Sequence, residues 1–84
     1  MWVIMEQKIK SDSIIRLGEN ISCLRQAKGM TQEDVTRELQ LKGFSIARST
    51  YAKMELGTHT IDTSTLEAIR DILGTTYDEL LKRR

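Results

Sequence analysis

The stretch FSIARSTYAKMELG, residues 44–57, carries polar groups on one face of a predicted helix. At helical spacing Arg48, Ser49 and Lys53 fall on the same side, and the small residue Ala52 lies among them. An arginine in a first helical turn can donate two parallel hydrogen bonds, and a serine hydroxyl adds a weaker contact. This face either touches a partner or is an ordinary solvated face, and two charges alone do not separate these interpretations.

Other kinds of chemistry find little support in the sequence. No nucleophile–base pair, metal-ligand cluster or phosphate-binding loop is found, so we predict no enzyme, no catalytic residue, no metal and no cofactor. The single cysteine, Cys23, excludes an intrachain disulfide, fits a reducing cytoplasm and is expected to be half-buried and unreactive. His59 has no marked carboxylate or thiol partner that would make it a metal ligand or base.

Length and composition predict one small all-α domain. The chain has 84 residues, no proline and only five glycines, a composition that suits short helices. Its net charge of +1 gives no bulk electrostatic argument for nucleic acid or membranes. The apolar start MWVIM is too short for a signal-peptide core or a bilayer span, so a soluble, cytoplasmic protein is expected.

Two helices are predicted in the first half of the chain. Apolar residues recur at three- and four-residue steps from Ser13, which predicts helix 1, with Ser11 or Ser13 as its cap and Gly29 at its end. Thr31 predicts the cap of helix 2, which should run to about Leu41. The residues expected inside are Ile14, Leu17, Ile21, Leu24, Val35 and Leu39. Those expected to face water are Arg16, Glu19, Asn20 and Gln26.

Three further helices follow. Gly57 should end helix 3, Asp62 should cap helix 4, and Thr76 with Glu79 forms a capping-box pattern for helix 5. The residues expected inside are Ala47, Tyr51 and Met54 on helix 3, Leu66, Ile69 and Leu73 on helix 4, and Leu80 and Leu81 on helix 5. Five short helices with short connections predict a compact orthogonal bundle.

Three stretches of the chain together resemble the Cro and lambda-repressor-like (XRE) helix-turn-helix family. They are LGENISCLRQAKGMTQEDV (17–35), RSTYAKMELG (48–57) and TLEAIRDILGTTYDEL (65–80). The resemblance covers residues 14–81 and implies a five-helix lambda-repressor-like DNA-binding domain, with the helix-turn-helix formed by helices 2 and 3. It also implies that helix 3 lies in the DNA major groove.

The resemblance assigns roles to individual positions. On it, DNA bases would be read by Arg48, Ser49 and Lys53, and the DNA backbone would be contacted by Thr31, Gln32, Thr50, Thr58 and His59. Arg25 and Glu55 fall on positions that form a structural ion pair between helices 1 and 3. An arginine bound to guanine O6 and N7 would contribute about 1 to 3 kcal/mol of discrimination.

The connection between helices 2 and 3 departs from the family pattern. It carries about five additional residues before Ala47, and Gly43 is positioned to supply the left-handed residue that closes helix 2. Because Ala47 stands where a Ser or Thr cap is common, we expect Ser45 to cap helix 3 instead. Thr36 replaces the alanine often found where helices 2 and 3 approach closely, so a tighter fit is expected there.

The resulting hypothesis is a sequence-specific transcriptional regulator, a repressor that binds a palindromic operator as a homodimer. The alternative is a protein-interaction module of the same fold, such as an antitoxin-like partner, which the near-neutral charge favours. Residues 13–84 are expected to form the helix-turn-helix domain. Residues 1–12 form an extension whose MWVIM segment packs on its own domain, contacts a second copy or is disordered.

Overall fold

The described part of the chain is entirely helical. The computed structural model describes residues 11–83, with side chains from Arg16 onward. Within that range there are five helices and no strand, which confirms the predicted fold class. The helices are α1 (Ser11–Ala27), α2 (Gln32–Leu41), α3 (Arg48–Leu56), α4 (Thr63–Leu73) and α5 (Tyr77–Leu80).

Side-chain caps fix where three of the helices begin. The Thr31 hydroxyl accepts from the Asp34 N–H at 3.0 Å, and the Asp34 carboxylate accepts from the Thr31 N–H at 2.9 Å, which is a reciprocal capping box. Asp62 accepts from the Thr65 N–H at 2.8 Å and starts α4. Thr76 Oγ1 accepts from the N–H three residues later and starts α5. All three predicted cap residues are confirmed, and at α5 the structure shows the Thr76 half of the predicted capping box without the return bond from Glu79.

The core lies between α3 and the helices α1 and α2, and α4 extends it from the side of α2. The helix α1 packs against α3 and α5, and α2 packs against α3 and α4. Because short helices are marginal in isolation, these shared apolar contacts stabilise the fold. The buried hydrophobic residues are Ile21, Val35, Leu39, Tyr51, Met54, Ala68, Ile69, Leu73 and Leu80.

The connection between α2 and α3 is an ordered six-residue turn. Gly43 has a positive φ of 97°, and the Phe44 N–H bonds the Leu39 carbonyl at 3.0 Å, so the chain reverses directly after α2. The Gln40 side chain donates to the Ile46 carbonyl at 3.0 Å. Phe44 and Ile46 pack against the core, and these contacts set the point at which α3 begins.

The predicted start of α3 is wrong in two respects. The N-cap is Ala47, which makes no side-chain cap bond, so Ser45 does not cap the helix. Ala47 is also exposed rather than part of the buried stripe. The reason is that α3 begins only at Arg48, so Ala47 belongs to the turn and its side chain does not face the core. The Tyr51 and Met54 predictions are confirmed.

Four other local predictions are also wrong. Asn20 is 1% exposed rather than facing water, because its Nδ2 donates to the Leu80 and Lys82 carbonyls, both at 2.7 Å. Leu81 is 58% exposed because it lies just beyond the end of the four-residue α5. Cys23 is exposed on α1. Ser11 and Ser13 both lie within α1, so neither is the residue before the helix that an N-cap must be.

Two predictions concern parts that are not described. The inward side chain of Ile14 and the MWVIM segment both lie outside the described residues.

Candidate functional site

The outward face of α3 presents the predicted base-reading residues. Arg48, Ser49 and Lys53 are exposed and Ala52 is half-buried. The other face of the helix carries the buried Tyr51, Met54 and Glu55. The structure therefore brings Arg48, Ser49 and Lys53 together on one exposed helical surface. The short side chain of Ala52 leaves the helix backbone open to close approach.

The predicted backbone contacts near α3 lie at both ends of the helix. Thr50 is half-buried in its first turn. Thr58 follows the left-handed Gly57 and donates from its hydroxyl to the Lys53 carbonyl at 3.3 Å. His59 Nδ1 lies 2.8 Å from the Thr60 carbonyl, which can only accept, so Nδ1 carries the hydrogen.

The remaining predicted backbone contacts begin α2. Thr31 is the N-cap, and Gln32 is the first helical residue. The Thr31 hydroxyl oxygen accepts within the capping box, which leaves its hydrogen to donate elsewhere. Gln32 lines the same open cleft as Ala52 and Leu56 of α3, a space of about 750 Å³ between α1 and α3. The first turn of α2 therefore borders the outward face of α3.

A buried carboxylate connects these elements. Glu55 accepts from Arg25 Nε at 2.7 Å and Nη2 at 3.2 Å, from Tyr51 Oη at 2.6 Å and from Gln32 Nε2 at 2.9 Å. Arg25 Nη1 also donates to the Met30 carbonyl at 2.9 Å. The predicted Arg25–Glu55 ion pair is present, and this hydrogen-bonded cluster, Arg25, Gln32, Tyr51 and Glu55, joins α1, α2 and α3.

The cluster favours a charged carboxylate. Burial raises the pKa of Glu55, but the hydrogen bonds from Arg25, Tyr51 and Gln32 outweigh it, so the pKa lies below its ordinary value of 4.5. Burial and the Glu55 carboxylate raise the pKa of Tyr51 above its ordinary value of 10.0. The hydrogen bond from Arg25 to Glu55 raises the pKa of Arg25. Arg25 and Glu55 therefore face each other as ions, and the tyrosine remains a donor.

Gly18 has a positioning role that sequence reasoning missed. A Cβ at Gly18 would lie 2.3 Å from the Glu55 carbonyl oxygen and 2.6 Å from that of Met54. Only glycine allows α1 to approach the C-terminal end of α3 this closely. A glycine inside the periodic pattern of helix 1 was the available signal, because a helical glycine usually has a packing or functional reason.

Thr36 and Asn20 also contribute to the geometry. Thr36 is a buried residue of α2. Its hydroxyl donates to the Gln32 carbonyl in the same helix at 2.8 Å, so the polar group that replaces an alanine there has a hydrogen-bond partner. Asn20 on α1 holds the end of α5 and the residues after it, because its amide donates to the Leu80 and Lys82 carbonyls. A buried asparagine cannot be distinguished from a solvated one by helical periodicity alone.

Two other features are absent from the part of the chain that the structure describes. Residues 11–83 contain no group of three or more His, Cys, Asp or Glu side chains placed to hold a metal ion. In the same range, no helix has both the length and the apolar character needed to cross a membrane.

Comparison with known protein families gives a match over most of the chain. A family model described as a helix-turn-helix domain matches residues 18–84, a range that includes all eight predicted DNA-contact residues. No curated protein and no solved structure matches the chain.

Proposed function

The chain belongs to the helix-turn-helix domain family, and from this premise we propose that it is a sequence-specific DNA-binding transcriptional regulator. In this proposal α3 enters the major groove, and the protein represses transcription by occupying an operator. It acts in the cytoplasm by binding alone, with no catalytic step and no small-molecule ligand.

The observation that carries the proposal is the division of α3 into two faces. Its inner face is tied to α1 and α2 through Glu55, while Arg48, Ser49 and Lys53 are exposed on the other face. Arg48 in the first turn suits bidentate donation to guanine O6 and N7. Ser49 adds a less selective contact, and Lys53 reaches a base one turn later. The small Ala52 lets the helix backbone approach the bases.

The DNA backbone contacts come from the segments that flank this face. Gln32 and Thr31 at the start of α2 approach a phosphate, with the N–H groups of the first helical turn pointing the same way. Thr50 is the contact from α3 itself, and Thr58 and His59 supply contacts beyond its end. His59 Nδ1 is engaged by the Thr60 carbonyl, so Nε2 is the ring nitrogen that faces the proposed contact.

The proposed active form is a homodimer. One copy presents few cations, so a single domain would bind DNA weakly. Two-fold pairing places two recognition helices about 34 Å apart on a palindromic operator. Residues 13–84 form the DNA-binding domain, and residues 1–12 and Leu56, which is 69% exposed, are the candidate subunit contacts.

A second candidate function is a protein-interaction module, such as an antitoxin-like partner. The observation favouring it is exposed apolar surface on a chain with net charge +1, since Leu41 is 75% exposed and Leu56 is 69% exposed.

A salt titration of binding distinguishes the two functions. The wild-type protein is first used to enrich duplexes from a random DNA pool, and its affinity for an enriched duplex is measured between about 50 and about 200 mM salt. Binding through phosphates releases counterions, so the logarithm of affinity should fall steeply and linearly with the logarithm of salt concentration. An affinity for DNA that does not change with salt, or the absence of any enriched duplex, would contradict the proposal.

A further inference from the structure

The first residue of α2 is held by the last turn of α3. Gln32 Nε2 donates to Glu55 Oε1 at 2.9 Å, although the two residues are 23 positions apart in sequence. Glu55 is in turn fixed by Arg25 Nε at 2.7 Å and by Tyr51 Oη at 2.6 Å. The Gln32 side chain therefore has a defined orientation relative to α3, although it belongs to α2.

This contact uses only part of the Gln32 amide. A glutamine amide nitrogen carries two hydrogens, so one N–H remains after the bond to Glu55. The first-turn N–H groups of α2 have no intrahelical carbonyl to bond, and Gln32 is at that turn. Gln32 also lines the cleft bordered by Ala52, on the side where α3 presents its outward face. The second amide hydrogen is not used by Glu55, and the cleft that Gln32 lines borders the outward face of α3 at Ala52.

The charge of Glu55 is compensated inside the protein. Arg25 contacts both carboxylate oxygens, at 2.7 and 3.2 Å, and its side chain is 11% exposed while that of Glu55 is 5% exposed. Because this ion pair is largely buried and internally neutralised, Glu55 can hold the Gln32 amide without presenting a free negative charge to a phosphate.

We infer that Glu55 is a positioning residue for the DNA backbone contact: it orients the Gln32 amide toward a phosphate while it anchors α3. The backbone contact and the base-reading helix would then move as one unit, fixed to α1 through Arg25. This inference rests on the proposed function, because it assumes that DNA lies across α3.

The test uses duplexes in which one phosphate at a time is replaced by an uncharged methylphosphonate. The starting duplex is one enriched from a random pool by the wild-type protein. Three proteins are compared: wild type, Gln32→Ala, and a triple variant carrying Arg25→Met, Tyr51→Phe and Glu55→Met. The triple variant replaces the buried polar groups together, since swapping a buried ion pair for apolar residues of similar size often preserves folding.

One phosphate should depend on both Gln32 and Glu55. In wild type its replacement should weaken binding about tenfold, the effect of losing a hydrogen bond to a charged group. In Gln32→Ala the penalty at that phosphate should disappear. It should disappear equally in the triple variant, which retains Gln32, while the penalties at other phosphates remain. A full penalty in the triple variant, or no phosphate that depends on Gln32, overturns the inference although DNA binding stands. Failure of the wild-type protein to bind any duplex overturns the proposed function as well.

A measurement on the free wild-type protein avoids any effect of substitutions on folding. Side-chain ¹⁵N relaxation should give Gln32 Nε2 a high order parameter, close to the value of about 0.85 that is typical of rigid backbone. The exposed Gln26, whose amide donates to Ser22 Oγ at 3.1 Å, is the matched control and should fall below about 0.6. If the Gln32 amide is as mobile as that of Gln26, Glu55 does not position it and the inference is wrong.

Discussion

Removing a single hydroxyl from the buried cluster should measurably destabilise the protein. Tyr51 is fully buried, and its Oη donates to Glu55 Oε2 at 2.6 Å. Tyr51→Phe deletes this donor and keeps the ring, so it leaves a charged, buried acceptor with one fewer bond. A hydrogen bond to a charged group contributes about 1.5 to 3 kcal/mol. The free energy of unfolding should fall by that amount, a large share of the roughly 5 to 15 kcal/mol typical of a folded domain.

Urea and thermal unfolding provide the assay. For a domain of this size about 1 kcal/mol shifts the melting temperature by about 4 to 8 °C, so a decrease of roughly 10 °C is expected. Tyr77→Phe is the matched control, because Tyr77 is 38% exposed and its ring contact with Arg70 does not need the hydroxyl. If Tyr51→Phe stays within about 0.5 kcal/mol of wild type, as expected for Tyr77→Phe, the cluster does not stabilise the fold as argued.

Three further predictions concern the same helix and its supports. Arg48→Ala should remove discrimination at one base position, by about 1 to 3 kcal/mol, with little change in melting temperature. The pKa of Glu55 is lowered by folding, so its stabilising contribution is present above its ordinary value of 4.5 and is lost as pH falls through the lower folded value. The free energy of unfolding should therefore drop in acid, and less steeply in Glu55→Gln. Gly18→Ala should destabilise by about 1 to 3 kcal/mol, because the added Cβ meets the Glu55 carbonyl.

Each of these has a contradicting outcome. Equal affinities of wild type and Arg48→Ala for all single-base operator variants would remove the assigned role of Arg48. Identical acid profiles for wild type and Glu55→Gln would show that other carboxylates, such as Asp34 and Asp62, account for the acid sensitivity. Gly→Ala inside an unobstructed helix stabilises by about 0.5 to 1 kcal/mol, so a gain in stability at Gly18 would disprove the close approach of α1 and α3.

Local signals explain how much of the fold could be predicted. Thr31, Asp62 and Thr76 mark helix starts by a chemistry that acts over three residues, and the structure has each of them as a cap. The resemblance to the lambda-repressor-like family agrees with the helix-turn-helix match over residues 18–84. It also supplied the Arg25–Glu55 pair, which residue spacing alone would not have identified.

The missed features depend on contacts between distant segments. Asn20 is buried because its amide bonds a carbonyl 60 residues away, and no periodicity within helix 1 carries that information. Ser45 was expected to cap α3 because a good cap residue stood nearby, but the turn is fixed by Gly43, Phe44 and Ile46 instead. The bond between Gln32 and Glu55 needs the packed arrangement of α2 on α3 before it can be recognised.

Enrichment of a random duplex pool by wild type and by Ala52→Glu tests the central claim most directly. Ala52 lies on the proposed groove face, so a glutamate there adds bulk and negative charge to that face and is predicted to leave the buried face of α3 unchanged. The wild-type protein should enrich a palindromic sequence, and Ala52→Glu should enrich none while its helix content by circular dichroism stays the same. Enrichment of the same sequence by both proteins would contradict the placement of α3 in the major groove.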